Sequence, residues 1–556
     1  MTFYKHILGL TAVLLLLSWF AIRTQTFYSN DIGLRYLQAQ QLIAQNWDSA
    51  HIPYPHAEFD ESFNYVPYYY GYAIEQSAIY LSISTLFPLL LSYSWALLGL
   101  PGLLIPTILG GLLTAIGVYK LVTLSQLKQP WLWFWLSVFG TPIIFYAVQI
   151  WDHSLATGFV TLGMAYTAVS LKNQQSRPAL WGGLLIALAL AQRPETYLFA
   201  GVAGIVFAVI SAPNWLKIGA FASGGAIGTA ASWLFNWYWV GHPLGFPMAT
   251  RFFGFGAVDS YPVQPYSEVT ITPAIKMGRL LLHINARDPL TFTATLLLLL
   301  AIILFFFGLR LPNYQKTAVL WAGFGAIAVA FLIWGLESSH QAVTGLLSTL
   351  PFLPLSLAFV QPENEGKQSW PIYQFVFFTA VLYVAAMVLI WPAFGGEQWG
   401  ARYLLHAYPL LLFSAAYGFN HYTETVNQPQ GQTLTKVTYG LVAVALLFQL
   451  AGLRYLYGKI YDMVPVREAV IELEADVIFT NHPFLPSFMT SVEDKQFFFV
   501  DNESDLIKLV NLTYNNGINE IAVLPLESGQ LTLPSEIEGI IIEPTGQATY
   551  QLKLNE

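Results

Sequence analysis

The chain has 556 residues, of which 55% are hydrophobic and only 10% are charged, whereas a soluble domain usually carries about 25% charged residues. This composition excludes an ordinary water-soluble enzyme and predicts a protein that spans a membrane several times. The absence of cysteine excludes disulfides, thiolate metal sites and a cysteine nucleophile. A net charge of -8 without any basic cluster excludes binding to nucleic acid.

The charged residues divide the chain into two regions. Residues 464–556 hold 15 acidic and 4 basic side chains, while residues 1–463 consist mainly of long apolar runs. We therefore predict a polytopic transmembrane domain over 1–463 and a small α/β tail domain over 464–556. The predicted elements of the tail are strands at 476–480, 496–500 and 521–524, a helix at 503–514, and a closing hairpin at 539–544 and 548–554.

The first apolar segment ends in the bulky residues Trp19 and Phe20 rather than in the small residues of a signal-peptidase site. We interpret it as an uncleaved first span, followed by a long outer loop over about residues 23–100. Within that loop, 66–100 is predicted to form an interfacial or re-entrant helix.

Further apolar segments bring the expected total to about 11–13 transmembrane helices. The segment at 180–192 is short for a hydrocarbon core of about 30 Å, which predicts one half of a broken or tilted element. The segments cover 102–119, 131–150, 154–171, 180–192, 196–212, 218–240, 290–309, 317–336, 342–360, 371–392, 402–419 and 437–457.

The orientation of the chain in the membrane is predicted from the lysine and arginine residues of its loops. The counts of Lys and Arg on the two sides of the membrane tie, but one side carries them in short turns and the other in long loops beside carboxylates. The positive-inside rule applies to short loops, so we expect a cytoplasmic N-terminus and an extracytoplasmic tail domain. This topology places the candidate functional residues on the extracytoplasmic side.

Asp31 lies shortly after the first span, near the bilayer surface, where a lipid headgroup and a soluble acceptor can meet. The alternative is that Asp31 caps a helix that begins near Ile32, because Asp and Asn are good N-cap residues.

Two further outward segments carry charged residues. Asp152 and His153 stand side by side between two spans, where they could bind a metal, orient a hydroxyl group or cap the following helix. Arg193, Pro194 and Glu195 interrupt an apolar stretch. Charged groups at membrane depth are usually paired or functional, so an ion pair of Arg193 with Glu195 or with an aspartate is the alternative to a direct role. Pro194 is predicted to open the helix.

A late outward segment, residues 395–405, opens a predicted span. Arg402 lies there at an expected helix N-terminus, where its own charge and the backbone N–H groups favour an anion. The alternative is an arginine that snorkels to the membrane interface. Arg251, His340 and Glu397 are further outward polar residues and individually weaker candidates.

Taken together, these segments resemble the GT-C superfamily of polytopic glycosyltransferases, particularly its protein-mannosyltransferase and aminoarabinose-transferase branch. The resemblance covers about residues 1–420. The motifs that carry it are Ser29-Asn30-Asp31 after span one, Trp151 to Ala156 at the start of span four, Arg193-Pro194-Glu195 after span five, and Trp399 to Leu405 at the start of a late span.

The sequence also departs from the family pattern. Asp31 is followed by Ile32 rather than by the glutamate that family members often have. The W-W-D-Y-G signature is absent, which disfavours transfer of an oligosaccharide to asparagine. Nothing resembles a MIR domain, which weakens a strict assignment to protein O-mannosylation.

The resemblance implies a membrane all-α, GT-C-like fold and an inverting transfer of one sugar. The donor would be a polyprenyl-phosphate sugar, and the acceptor an extracytoplasmic protein, glycolipid or polysaccharide. The nearest branch of the family also implies the plasma (inner) membrane. No nucleotide-binding loop is needed for such a donor, and a divalent metal ion is the one cofactor left open.

The resemblance matches Asp31 to the catalytic-base position. It matches Asp152 and His153 to a second acidic position that orients the acceptor or a divalent ion. The expected ligands of the substrate and its lipid phosphate are Arg402, His153, Arg193 and Arg251. The expected supporting residues are Glu195, Glu397 and His340.

Two other classes of protein fit the composition. A transporter or flippase of lipid-linked sugars tends to show two related halves with its binding groups near the bilayer midplane. This chain shows no such repeat, and its polar groups cluster at one edge. A non-catalytic membrane assembly subunit would not need carboxylates and arginines at four separate span ends.

Overall fold

The computed structural model describes residues 2–554 except 55–59, 61–62, 69–71, 76–77, 82, 247, 250–271, 284–288, 312, 339–340, 358–368, 392–394, 396–397, 426–427, 483, 491, 493, 525–532, 538–539 and 547. The chain forms two compact units. The first unit comprises Met1–Ser18, Leu98–Pro243 and Tyr266–Leu456, and the second comprises Trp19–Leu97, Leu244–Pro265 and Tyr457–Glu556.

The described residues of the first unit form helices, turns and irregular connections and include no strand. Its helices are α4 (Ile105–Leu124), α5 (Pro130–Phe139), α6 (Ile143–Ala147), α7 (Asp152–Asn173), α8 (Ser176–Leu188), α9 (Thr196–Ser211), α10 (Trp215–Val240), α11 (Pro273–Leu281), α12 (Pro289–Gly308), α13 (Asn313–Glu337), α14 (Leu353–Leu357), α15 (Trp370–Ile390) and α16 (Ala407–Thr425). Two further helices, α1 (Thr2–Ile22) and α17 (Gln428–Asp462), begin in this unit and end in the other.

Among the described residues, eight helices are long and apolar enough to cross a membrane by length and composition. Four shorter apolar helices have 10–17 residues, and one of them includes the predicted short segment at 180–192. The predicted architecture, a multi-span helical body followed by a small C-terminal domain with a sheet, is confirmed.

Several predicted spans are not continuous helices, among them 131–150 and 342–360. The segment at 131–150 divides because α5 ends before Gly140 and Pro142, and proline lacks the N–H group that would continue the helix. The segment at 342–360 contains, within its described part, only a 3₁₀ turn at Leu347–Thr349 and the short α14. Gly345 there adopts a positive φ of 100°, which is incompatible with a regular right-handed helix at that position.

The expectation of an interfacial helix over 66–100 is only partly correct. Strands β1 (Tyr72–Glu75) and β2 (Ala78–Leu81) pair in antiparallel fashion, and only α3 (Leu86–Leu98) is helical. The isoleucine, leucine and tyrosine side chains of this pair suit a half-buried strand surface, which explains why the aromatic content did not produce helix.

Glycines let the helices of the first unit approach each other closely. A Cβ atom added to Gly110 of α4 would lie 2.3 Å from the backbone nitrogen of Leu155 in α7. One added to Gly158 of α7 would lie 2.6 Å from the carbonyl oxygen of Gly110. The Ser154 hydroxyl also donates to the carbonyl of Thr107 at 3.2 Å. These contacts fix the first turn of α7 against α4, as small residues do between membrane helices.

The second unit contains a six-stranded mixed sheet near the C-terminus with the order β4-β3-β5-β8-β7-β6. Strands β4, β3 and β5 are parallel, and the remaining neighbours are antiparallel. The elements are α18 (Val464–Glu472), β3 (Val477–Thr480), β4 (Gln496–Phe499), α19 (Glu503–Asn515), β5 (Glu520–Leu524), β6 (Glu536–Ile537), β7 (Ile540–Pro544) and β8 (Thr549–Leu554). The predicted tail strands, helix and closing hairpin are therefore confirmed.

The segment that follows α1 belongs to the same unit as this sheet. The backbone N–H of Phe499 in β4 donates to the carbonyl of Tyr65 at 2.8 Å, and the ring of Tyr54 meets that of Phe498. Helix α2 (Asn30–Ala44) is buried on all sides over residues 32–36, which include Ile32 and Leu34. The predicted domain boundary at 463/464 stays a prediction.

The packing of α8 on α10 gives a matched test of the glycine contacts. A Cβ atom at Gly224 would lie 2.0 Å from the carbonyl oxygen of Leu180, whereas one at the adjacent Gly225 would meet nothing within 4 Å. We expect Gly224→Ala to destabilise the protein by about 1–3 kcal/mol through overpacking. Gly225→Ala should leave stability unchanged or raise it, because alanine is the better helix former. Thermal unfolding in lipid nanodiscs measures both variants, and equal melting temperatures would contradict the packing.

Candidate active site

The start of α7 places Asp152 and His153 deep in the first unit. Trp151 occupies the N-cap position with extended backbone angles and makes no capping hydrogen bond through its side chain. Asp152 is therefore the first residue of the helix, and the alternative that it is the N-cap is wrong. Asp152 is fully buried and His153 is 2% exposed, so both side chains depend on protein partners.

Pro194 divides the next apolar stretch, as predicted. Helix α8 ends at Leu188 and a 3₁₀ turn follows, after which α9 begins at Thr196. The N–H group of Arg193 donates to the carbonyl of Ala189 at 3.0 Å, and that of Thr196 donates to the carbonyl of Arg193 at 3.2 Å. The break thus leaves these backbone groups bonded and turns Arg193 and its neighbour Glu195 out of a regular helix.

A buried ion-pair network joins the two segments. The Arg193 Nε donates to Glu195 Oε1 at 3.0 Å, and its Nη1 lies 3.4 Å from Asp152 Oδ1. The Nδ1 atom of His153 lies 3.8 Å from the same Glu195 oxygen, which is within electrostatic range but too long for a hydrogen bond. The predicted ion pair of Arg193 is confirmed, with both carboxylates as partners. We call Asp152, His153, Arg193 and Glu195 the buried charge cluster.

Aromatic rings enclose this cluster. The ring of Tyr146 lies 5.2 Å from that of His153 and 5.3 Å from that of Trp151, both in tilted or edge-on arrangements. The ring of Tyr403 lies 5.9 Å from the Arg193 guanidinium carbon. Because these rings exclude water, the charges of the cluster interact more strongly than they would at a surface.

The segment before α16 carries Arg402. Trp399 Nε1 donates to Gln449 Oε1 at 2.9 Å. Gly400 adopts a φ of 74°, and its N–H donates to the carbonyl of Val343 at 2.8 Å. A Cβ atom at Gly400 would lie 2.7 Å from Pro142, so glycine is required both for the backbone angle and for the contact. This anchoring determines where the chain presents Arg402.

Arg402 does not occupy the expected helix N-terminus. It begins a 3₁₀ turn of three residues, and α16 starts only at Ala407. Its guanidinium carbon lies 5.0 Å from the ring centre of Tyr403 and 6.0 Å from that of Trp151, and its Nη2 lies 3.4 Å from the Tyr403 hydroxyl. Arg402 is half-buried, whereas Arg193 is buried. The site therefore presents a partly accessible guanidinium, that of Arg402, beside the buried charge cluster.

Sequence reasoning missed His406, which joins all three segments. Its Nδ1 lies 3.0 Å from the hydroxyl of Thr157 in α7, and its Nε2 lies 3.1 Å from the hydroxyl of Thr196 in α9. His406 follows Arg402 by four residues and is 2% exposed. No local sequence pattern identifies His406, because both of its hydrogen-bond partners are more than 200 residues away along the chain.

Several buried polar atoms around the cluster have no hydrogen-bond partner among the described residues: Tyr146 OH, Gln149 Oε1, Gln192 Oε1 and Glu195 Oε2. Three of the four are carbonyl or carboxylate oxygens, which accept hydrogen bonds from hydroxyl groups. Buried polar atoms are normally satisfied, so a group of them near one cluster requires an explanation such as bound water or a ligand.

The structure places the remaining predicted residues as follows. Asp31 lies in the second unit, in the first turn of α2, where it is half-buried. Ser29 is the N-cap residue of that helix, so the alternative that Asp31 caps it is wrong. Arg251, His340 and Glu397 lie outside the described residues. The structure thus brings together Asp152, His153, Arg193, Glu195 and Arg402, and the convergence of Asp31 with them stays a prediction.

The described part of the chain contains no group of three or more His, Cys, Asp or Glu side chains arranged to hold a metal ion. Asp152 and Glu195 both pair with Arg193, whose guanidinium cannot lose its proton in a protein. The arginine therefore balances the charge of these two carboxylates.

No protein-family model matches the chain, and no curated protein matches it. Among solved structures, ArnT from Cupriavidus metallidurans bound to undecaprenyl phosphate is similar over 98% of this chain and 97% of that chain, with 10% identity and a TM-score of 0.42. ArnT in the apo state is similar over 99% and 98%, with 12% identity and a TM-score of 0.39. The apo oligosaccharyltransferase of Archaeoglobus fulgidus is similar over 93% of this chain and 69% of that chain, with 11% identity and a TM-score of 0.45.

These neighbours are GT-C glycosyltransferases, the superfamily that the sequence resembles. Their TM-scores lie below 0.5, so the functional proposal rests on the residues of this chain.

The buried charge cluster makes a prediction about stability. Arg193→Gln would leave Asp152 and Glu195 buried together without a cation, and removing one partner of a buried ion pair usually costs about 3–5 kcal/mol. Arg193→Lys keeps the charge and should cost less, although it loses the forked geometry. Thermal unfolding in nanodiscs measures both variants.

A matched control is Arg177→Gln, because Arg177 is exposed in the first turn of α8, and surface substitutions usually change stability by less than about 0.5 kcal/mol. The cluster would not hold the fold together if Arg193→Gln and Arg177→Gln melted at the same temperature.

Proposed function

We propose that this chain is an integral membrane glycosyltransferase that moves a sugar from a polyprenyl-phosphate donor to an extracytoplasmic acceptor with inversion. The observation that carries the proposal is the half-buried Arg402, held on aromatic rings beside a buried cluster of carboxylates and arginine. Ionisable residues among apolar helices are costly and mark functional sites by default.

Arg402 is the cation suited to the phosphate of the donor. A guanidinium binds phosphate through two parallel hydrogen bonds and stacks on aromatic rings, and Arg402 already lies against Tyr403 and Trp151. Arg193 supports it at longer range, because its Nε and Nη1 atoms already pair with Glu195 and Asp152. The positive charge of Arg402 would stabilise the negative charge that develops on the departing phosphate.

The chemistry needs one base. The acceptor hydroxyl oxygen forms a bond to the anomeric carbon of the sugar, and the bond from that carbon to the phosphate oxygen breaks, which releases the polyprenyl phosphate. The hydroxyl proton passes to the base, for which we propose Asp31. A lipid phosphate is already a good leaving group, so no general acid is required.

The remaining cluster residues have supporting roles in this proposal. Asp152 and Glu195 hold Arg193, and Asp152 together with His153 matches the position that orients the acceptor in the family pattern. The orphaned oxygens of Gln149, Gln192 and Glu195 are acceptors for sugar or acceptor hydroxyl groups. Arg251, His340 and Glu397 are proposed as further contacts from the sequence alone.

The proposal includes a location. We infer a plasma (inner) membrane protein with its N-terminus in the cytoplasm and its tail domain outside, on the basis of the loop charges. The donor would then meet the acceptor on the extracytoplasmic side.

Transfer from radiolabelled polyprenyl-phosphate sugars, measured with the purified chain in nanodiscs, tests the role of Asp31. Removing a general base typically costs about 10²–10⁴-fold in rate, so we expect Asp31→Asn to lose kcat by that factor while the donor still binds. Asp48→Asn is the matched control, since Asp48 is an exposed residue of the same loop, and it should transfer sugar at the native rate. Native turnover by Asp31→Asn would contradict the assignment of the base.

The same preparation tests Arg402 as the residue that binds the donor phosphate. A hydrogen bond to a charged group contributes about 1.5–3 kcal/mol, so Arg402→Gln should weaken donor binding by about 10- to 100-fold. Arg177→Gln, at an exposed position in the first turn of α8, should bind the donor as the native chain does. If the native chain binds none of the polyprenyl-phosphate sugars, the proposed function fails.

A further inference from the structure

The tail of the chain contacts the helix that carries Asp31. In the second unit, the 3₁₀ turn Leu485–Phe488 lies against α2 at Gly33, two residues after Asp31. A Cβ atom added to Gly33 would lie 1.4 Å from the carbonyl oxygen of Ser487 and 2.4 Å from its carbonyl carbon. Both of these atoms belong to backbone, so no side-chain rotation could relieve the overlap. Only glycine at position 33 allows this approach.

The tail also holds the residues that lead into α2. Thr26 and Met489 form an antiparallel bridge. The N–H of Phe27 donates to the carbonyl of Phe488 at 2.8 Å, and the N–H of Thr490 donates to the carbonyl of Gln25 at 2.9 Å. The tail segment therefore forms a short stretch of sheet with the backbone just before the helix.

Arg467 of α18 also stabilises this short stretch of sheet through two side-chain hydrogen bonds. Its Nε donates to the carbonyl of Thr490 at 2.9 Å, and its Nη2 donates to the side-chain oxygen of Gln25. One arginine thus connects the tail strand to the incoming loop strand. Hydrogen bonds from a charged donor are stronger than those between neutral groups.

These contacts hold the backbone on both sides of Asp31. Residues 25–27 precede it and are hydrogen-bonded to the tail, while Gly33 follows it and is pressed against the turn. The side chain of Arg35 donates to the carbonyl of Asp31 within the helix, and Ile32 and Leu34 are buried. The backbone that carries the Asp31 carboxylate is therefore fixed at both ends of the first helical turn.

We propose that the tail turn Leu485–Phe488 is a positioning device that sets the orientation of Asp31 through Gly33. This inference rests on the proposed function, in which Asp31 accepts the proton of the acceptor hydroxyl. A general base acts only within hydrogen-bond reach of its proton, and a displacement of about 1 Å can cost about 100-fold in rate. The tail domain would then be required for turnover through α2, independently of any contact with the acceptor.

The test compares Gly33→Ala with Gly458→Ala in the full chain in nanodiscs. Gly458 is an exposed helical glycine of the same unit, where an added Cβ atom meets nothing within 4 Å. Hydrogen exchange of the α2 amides and kcat with radiolabelled polyprenyl-phosphate sugar are measured for both. For Gly33→Ala, we expect faster exchange in α2 and a loss of kcat of about 10- to 100-fold, with donor KM nearly unchanged. Gly458→Ala should match the native chain in both measurements.

Arg467→Gln is a second and milder variant, for the case in which Gly33→Ala fails to fold. It removes the hydrogen bonds to Thr490 and Gln25 without adding an atom to the helix contact, and it should show the same pattern with a smaller loss of kcat.

Native exchange of α2 in both variants would overturn the inference, and so would faster exchange with native kcat. Asp31→Asn in the same assay distinguishes failure of the proposed base from failure of the positioning role. If Asp31→Asn keeps native turnover, the proposed base is wrong and the positioning role of the tail turn is overturned with it.

Discussion

Arg193 cannot lose its charge, so a chain that buries it among apolar helices must bring carboxylates to it. Asp152 and Glu195 meet this requirement from two different helix junctions. Pro194 breaks the helix at the same place. Without this break, Arg193 and Glu195 would lie on different faces of a regular helix. Much of the order in the first unit follows from this single requirement, since the start of α7 and the junction of α8 with α9 are set relative to each other by one guanidinium.

The glycines make this arrangement possible. Without the close approach of Gly110 and Gly158, α4 would not hold the first turn of α7 at its present distance, and Asp152 would not reach Arg193. Gly400 has the same role for Arg402, because its positive φ turns the backbone after the anchored Trp399. The charges determine what the site can bind, and the small residues determine where the charges lie. His406 then ties the segments together through two threonine hydroxyls.

Much of this site could be predicted from the sequence. Charged residues are so rare in the apolar body that Asp152, Arg193 and Glu195 stand out, and their expected pairing follows from the cost of burying a lone charge. The strands and helix of the tail also follow from local patterns. The contacts of His406 and of Gly33 could not be predicted, because they join residues far apart in the chain and depend on how the elements pack. The irregular backbone at 342–357 and before α16 was missed because apolar composition was taken as a sign of continuous helix, although glycine and proline interrupt it.

We propose that Arg402 binds the phosphate of a lipid-linked donor while Asp31 faces the acceptor. An experimental structure of the chain in a lipid nanodisc with bound polyprenyl phosphate tests this proposal most directly. We expect phosphate oxygens about 3 Å from the Arg402 guanidinium, with the Asp31 carboxylate directed at the space where the sugar and the acceptor hydroxyl would meet. A phosphate bound away from Arg402, or an Asp31 carboxylate beyond the reach of one bridging water from that space, would contradict it.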